Sequence, residues 1–463
     1  MPTATTPFVR RLACLTLALA CVPAGASHGA DTAVRMTADL LGRDDAEFRA
    51  IGLDAVRYGV RGTEATQAFA AVLARATAPR QVELLSALAT RGDAAALPAV
   101  AAVLKQASDS AVRQAAIDAL GRLGGVAEVG LLVPLLAGGE QAAAERALVA
   151  VRGPEASAAI VAAARTAEPA VRTKLFDVLA ARRERAAIGD LVAAATADDA
   201  AIRTAAMRAL AVLGCPDEVP GLVKGVLRAE AGGERDAAER ALLVVCRRDG
   251  TGTAATTRFL AAFEAAAAGD REALVPALGR IGGAGALAIV DGLVAGSDPA
   301  RRALGLKALV RWPNADVADR LLALIDSAAD PAERDMLLAA LIRIAPLTDN
   351  KLDDRRRLEL LGKALALCRT DADRAKVIDR ADAIRTVETL RFVVPYLDSP
   401  PLAETACGSV VELAHHRALR DAHKEEFTTA LDKVLATSKN AEVIDRAERY
   451  KQGRTWERPK AGG

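Results

Sequence analysis

The chain has 463 residues, 52% of them apolar but only 3% aromatic, and a formal net charge of +2. That near-neutrality excludes a global pull toward nucleic acid or anionic lipid, so a charged partner has to be recognised by a local patch. Alanine supplies much of the apolar content, good helix formers dominate, and β-branched runs of strand type are scarce.

At the N-terminus, Arg10-Arg11 precede an apolar stretch from Leu12 to Val22 and then the small residues Ala24-Gly25-Ala26. This is the layout of a secretory signal peptide, residues 1–26, with cleavage after Ala26. The stretch is about half the roughly 20 apolar residues a membrane-spanning helix needs, and no later segment reaches that length without a charge. The expectation is an exported chain, periplasmic or extracellular, with no membrane span. Two variants stay open: a twin-arginine signal, and a lipid anchor on Cys21, against which Ala18-Leu19-Ala20 lacks the usual large aliphatic residue.

Self-similarity then dominates the sequence. The segment Asp109 to Gly124 is echoed by Asp199 to Gly214, and one register extends in both directions. Aligning on the first polar residue of the repeated helix gives Arg49, Gln81, Arg113, Gln141, Arg172, Arg203, Arg235, Arg271, Arg302 and Arg334. Seven residues beyond each lies an apolar anchor: Val56, Leu88, Leu120, Leu148, Leu179, Leu210, Leu242, Leu278, Leu309 and Leu341. We call these the anchor helices. Each is followed by a Gly or Pro break and a second apolar run, such as Leu97 to Lys105 or Val317 to Ile325; these are the companion helices. Neither helix can bury its apolar face alone, so stacked neighbours have to supply the cover. The fold expected is all-α, a right-handed α-solenoid of about ten helical pairs over residues 44–346.

Local chemistry supports the register. Asp298-Pro299 and Asp330-Pro331 place an N-cap acid before a proline at the first helical position, with Glu168-Pro169 a weaker version. An acid stands four residues before the aligned arginine in the pairs Asp45/Arg49, Asp109/Arg113, Glu168/Arg172, Asp199/Arg203, Asp298/Arg302 and Asp330/Arg334. These read either as i,i+4 surface pairs, worth about 0.2–0.5 kcal/mol each, or as an inter-repeat ladder. On the first reading Arg203→Ala shifts stability only slightly. Thr77, Ala137, Ala231 and Ala267 replace the acid in the remaining units, where the ladder is expected to break. The recurring Asp and Arg resemble those of HEAT repeats and their bilin-lyase-type relatives, over roughly residues 44 to 346.

Beyond Pro346 the register loosens. Helical runs continue through Leu358 to Cys368, Val387 to Leu397, Thr405 to His416 and Phe427 to Ala436, read as an irregular helical cap over residues 347–449. Residues 450–463 read as a polar, fraying tail. The segment from Leu431 to Trp456 resembles the ends of HEAT-repeat regions in exported proteins of the planctomycete type, some of which carry a sugar-hydrolase domain.

Motifs for chemistry are missing from the sequence. It contains no His-Glu-x-x-His, no Cys-x-x-Cys and no Gly-x-Ser-x-Gly, and the glycines at 121, 124 and 125 and at 282, 283 and 285 end helices without a P-loop lysine. His415, His416 and His423 lie close together, but the first two point about 100° apart on a helix, which favours a helix-end role over a metal or acid–base site. Trp312 and Trp456 offer either inter-repeat packing or a carbohydrate platform. Cys215, Cys246, Cys368 and Cys407 are expected to be buried thiols, Cys215 with Cys246 being the best candidate for a pair. No catalytic, cofactor or metal residue is assigned.

Three functions follow: a scaffold binding a protein partner; a chromophore lyase, implied by the bilin-lyase resemblance and opposed by the export signal; and an accessory subunit of an extracellular polysaccharide-processing assembly, implied by the C-terminal segment. The first leads. Its candidate surface comprises the positions five and nine residues beyond the aligned residue. The former carry Asp118 and Asp177 early and Arg208, Arg240 and Lys307 later; the latter carry Arg280, Arg311 and Arg343. Resemblance to HEAT-like solenoids implies a concave basic stripe of Arg280, Lys307, Arg311 and Arg343, facing a partner with an acidic or phosphorylated segment. The other reading is that these cations complement helix C-terminal dipoles.

Overall fold

The computed structural model describes residues 27–248, 253–348 and 352–456; the signal-peptide reading of residues 1–26, with Cys21, and the last residues of the tail lie outside them. Every element among the described residues is an α-helix or a short 3-10 turn. The chain divides into two compact units, Met1–Phe259 and Leu260–Gly463.

In the first unit the anchor helices Ala46–Tyr58, Ala78–Arg91, Ser110–Leu123, Gln141–Ala150, Pro169–Ala181, Ala200–Leu213 and Gly233–Arg247 pack successively on one another. The companion helices, among them Thr63–Ala71, Leu97–Gln106, Pro154–Thr166 and Val219–Arg228, form a second layer. The alignment explains this packing. All ten anchor residues are at most 1% exposed. The residue just before each anchor is alanine in every unit but one, where it is Val178, and all ten are buried. Small side chains there let neighbouring anchor helices approach closely, which accounts for the alanine-rich composition.

The pairing differs in phase from the expected one. The companion helices Leu97–Gln106, Pro154–Thr166, Ile188–Ala194, Val219–Arg228, Ala284–Ala295 and Ala318–Ser327 each pack chiefly on the anchor helix that follows. Among the described residues the first pair therefore starts with Ser27–Gly42, a helix left out of the predicted repeat region, which packs on Ala46–Tyr58 and buries Ala33, Thr37 and Leu41. In the second unit the arrangement continues past 346: Asp354–Leu367 pairs with Asp371–Ala381, Val394–Asp398 with Ala403–His415, and Lys424–Thr437 with Ala441–Lys451. Tyr450, placed in the fraying tail by sequence, is only 2% exposed, and the Arg446 guanidinium lies 5.0 Å from the Trp456 ring. Polar composition hid this because Tyr450 and Trp456 are isolated aromatics that pack on arginine rather than on an apolar run.

Of the two readings of the acid–arginine positions, the i,i+4 pair does not hold, whereas arginines of the register do bond across repeats. The acids are N-caps: Asp109 accepts from the backbone N–H groups of Ala111 and Val112, and Asp45, Asp199, Asp298 and Asp330 do the same in their helices, whereas the Glu168 side chain makes no cap bond. Among the described residues none of the six pairs is an ion pair. The arginine reaches elsewhere, backward to the end of the preceding companion helix and forward to a glutamate of the next repeat. Arg203 donates through Nη1 to the carbonyls of Ala197 (2.9 Å) and Asp198 (2.6 Å), and through Nε and Nη2 to Glu234 (2.7 and 2.9 Å). Arg113 grips Glu140 with two bonds and Arg302 grips Glu333 at 2.7 and 2.8 Å. Arg49 approaches Glu83 at 3.7 Å, Arg334 donates to the Leu367 carbonyl at 2.7 Å, and Arg172 lies over the Phe176 ring.

The bonded arginines hold Glu140, Glu234 and Glu333 below the usual carboxylate range. A carboxylate whose folded pKa is depressed stabilises the fold above its unfolded pKa and loses that contribution as pH falls through the folded value. The ladder is therefore intact at neutral pH and fails only in acid, below the ordinary glutamate range.

Candidate partner-binding surface

With the anchor residues buried, the positions five and nine beyond the aligned residue point outward. At the outer position Tyr58, Thr90, Arg122, Ala150, Ala181, Val212 and Val244 are all exposed in the first unit. In the second, Arg311 and Arg343 are exposed and Arg280 is half-buried. The row is thus mostly neutral or apolar in one unit and basic in the other.

The basic stripe is not a row of unengaged cations. Arg343 donates to the carbonyls of Val310 (2.9 Å) and Trp312 (2.7 Å), at the end of the preceding anchor helix. Arg91 does the same to Val56, Arg182 to Leu148 and Val151, and Arg248 to Gly214 and Ala211. A second ladder therefore satisfies carbonyls that these four anchor helices leave unpaired at their C-termini. Neither Arg280 nor Arg311 is without a partner, and Lys307 is exposed. At the inner position the change of sign along the chain resolves into ion pairs between adjacent repeats, Asp118 with Arg146 at 3.4 Å and Asp177 with Arg208 at 2.7 Å.

Between the anchor helices Ala200–Leu213 and Gly233–Arg247 the surface opens into a cavity of about 300 Å³, floored by Met207, Gly225 and Ala241, walled by Val244 and rimmed by Arg208 and Arg240. Val212 and Val244 are 42% and 50% exposed. The alignment already held these valines; they were missed because only charged outward positions were weighed. Glu140, Glu234 and Glu333 were missed likewise, although each stands one residue before the aligned position of its repeat.

The other sequence candidates resolve as structural. Trp312 is 1% exposed and packs on the preceding repeat's end at Gly282, which closes the platform reading. All four described cysteines are free thiols, so the Cys215–Cys246 pair is not formed; Cys215 is half-buried, and burial pushes the Cys407 thiol up to about 11. His415 Nδ1 lies 2.9 Å from Tyr450 Oη and His416 ends its helix. Among the described residues no group of three His, Cys, Asp or Glu could hold a metal ion. No helix there is long and apolar enough to cross a membrane.

Beside these histidines, burial pushes Asp382 up to about 6, with Asp379 and Glu412 adding to the effect and Arg380 and Arg385 opposing it. For an acid whose folded pKa is raised, stability falls as pH rises from the unfolded toward the folded value. Asp382→Asn should therefore stabilise the second unit above pH 6 by about 1–2 kcal/mol, after discounting for solvent screening. Below about pH 4 it should change nothing. Urea melts of both proteins across this range check it.

No family description and no curated protein matches the chain. Among solved structures it is similar to Kap121p bound to Nup53p, at 12% identity and a TM-score of 0.49, covering 96% of this chain and 55% of that one. It is also similar to yeast importin-beta, Kap95p (11%, TM-score 0.43, 91% and 66% covered), and to a chain of the Pds5-Scc1 complex (10%, TM-score 0.33, 97% and 82%). The chain spans about half the length of Kap121p.

Proposed function

We propose that the protein is an exported, non-catalytic scaffold that holds a protein partner on the outward face of its anchor helices. The observation that carries this reading is the repeated exposed row, one position per repeat, which includes Tyr58, Val212 and Val244 at 69%, 42% and 50% exposure. A helical-repeat stack whose core is closed by two internal arginine ladders has no folding need for large apolar side chains there, and surfaces of this kind serve association. Export rests on Arg10-Arg11, the Leu12 to Val22 stretch and Ala24-Gly25-Ala26. The test is to express the full chain in its native host, fractionate the cells, cross-link and purify. The reading expects a mature N-terminus at Ser27 and one partner protein in constant stoichiometry from the envelope or exterior fraction. A chain that keeps its first residues and stays cytosolic contradicts export; a chain recovered alone after cross-linking contradicts the scaffold role.

A further inference from the structure

At the cavity between the anchor helices Ala200–Leu213 and Gly233–Arg247 the pairing rule of the outward face runs out. In two earlier places an acid at the inner outward position meets an arginine of the next repeat, Asp118 with Arg146 and Asp177 with Arg208. One repeat further the position holds Arg240, whose neighbour in the row is Arg208, already held by Asp177 through bonds of 2.9 and 2.7 Å. Among the described residues no carboxylate lies within ion-pair distance of Arg240. At the cavity's base Arg203 and Glu234 neutralise each other. Of the charges lining the cavity, Arg240 alone is left over.

One helical turn beyond Arg240 on the same face is Val244, which walls an apolar cavity of about 300 Å³, roomy enough for a leucine or aromatic side chain. Gly225 lets Met207 pack into the cavity floor, since a Cβ there would stand 2.5 Å from Met207 Sδ. A guanidinium without a carboxylate beside a solvent-open apolar cavity specifies two features of an occupant at once. We infer that this cavity is a docking site for a segment of the partner protein that inserts one large apolar side chain and places an aspartate or glutamate about one helical turn away, on Arg240. The inference rests on the proposed scaffold function and locates it.

The experiment is selection of a displayed library of random dodecapeptides on the full mature chain, followed by titration of the enriched peptides. The expected result is a consensus pairing a large apolar residue with an acid, bound at least about tenfold more weakly by Arg240→Glu and by Val244→Asp, and more weakly as salt rises. Both substitutions are at exposed positions, and unchanged thermal melts confirm that each variant folds. The inference is overturned if no such consensus emerges, or if the enriched peptides bind wild type and both variants alike. A native partner that still co-purifies stoichiometrically in either case leaves the scaffold reading standing and removes only this site.

Discussion

Replacing Arg203 with alanine is expected to destabilise the first unit by about 3–5 kcal/mol, the cost of removing one member of a buried ion pair. Arg203 is 2% exposed and spends three of its donor nitrogens on four acceptors: both oxygens of Glu234 and the carbonyls of Ala197 and Asp198. Its loss leaves the Glu234 carboxylate, 14% exposed, with only the Glu230 backbone N–H as donor, and the carbonyls of Ala197 and Asp198 without the guanidinium. The expected effect exceeds by roughly tenfold the few tenths of a kcal/mol that apply to a surface i,i+4 pair. Lysine at this position should recover little, because a single ammonium cannot span the two directions. Arg146→Ala serves as the control: its pair with Asp118 is 55% and 45% exposed, so it should cost less than about 1 kcal/mol. Urea unfolding followed by circular dichroism decides the matter, and equal shifts for the two variants would show that Arg203 is a surface residue in practice.

Gly279→Ala should destabilise the second unit by about 2–3 kcal/mol, although the same change at an open helical site stabilises. A Cβ on Gly279 would lie 2.0 Å from the carbonyl oxygen and 2.7 Å from the Cα of Ala308. Both are backbone atoms of the next anchor helix, so no side chain can rotate out of the way. Gly121 stands at the same register position and meets Ala147, the counterpart of Ala308, at 2.5 Å. The two glycines therefore mark where successive anchor helices touch. Gly292 lies within the companion helix Ala284–Ala295 with nothing within 4 Å of its added Cβ. Gly292→Ala should stabilise by about 0.5–1 kcal/mol through lost chain entropy in the unfolded state. Opposite signs for these two substitutions are the result to look for; two stabilising changes would mean that the anchor helices are not in close contact at Gly279.

The repeat was legible because one periodic pattern fixes several features together. Ten aligned polar residues, the buried anchors behind them and the capping acids ahead of them all fall where one register puts them. The destination of the arginines was not legible from the acids four residues away, since those acids are occupied in capping backbone N–H groups. It needed the glutamate about thirty residues further on, a distance set by how repeats stack and not by helix geometry. The helix Ser27–Gly42 was missed for a related reason: it is a companion helix and lacks the aligned polar residue. Of the candidate surface, the outward direction of its positions was readable, but the spending of Arg343 on backbone carbonyls was not, because a guanidinium that caps a neighbouring helix and one that awaits a partner look alike in sequence.

The scaffold account is tested most directly by amide hydrogen exchange on the full mature chain, alone and with its co-purified partner. The account predicts that the partner slows exchange at the outer ends of the anchor helices, above all within Ala200–Leu213 and Gly233–Arg247, and leaves the companion helices other than Val219–Arg228 unchanged. Protection confined to the companion layer, or to the C-terminal pair Lys424–Thr437 and Ala441–Lys451, would contradict it.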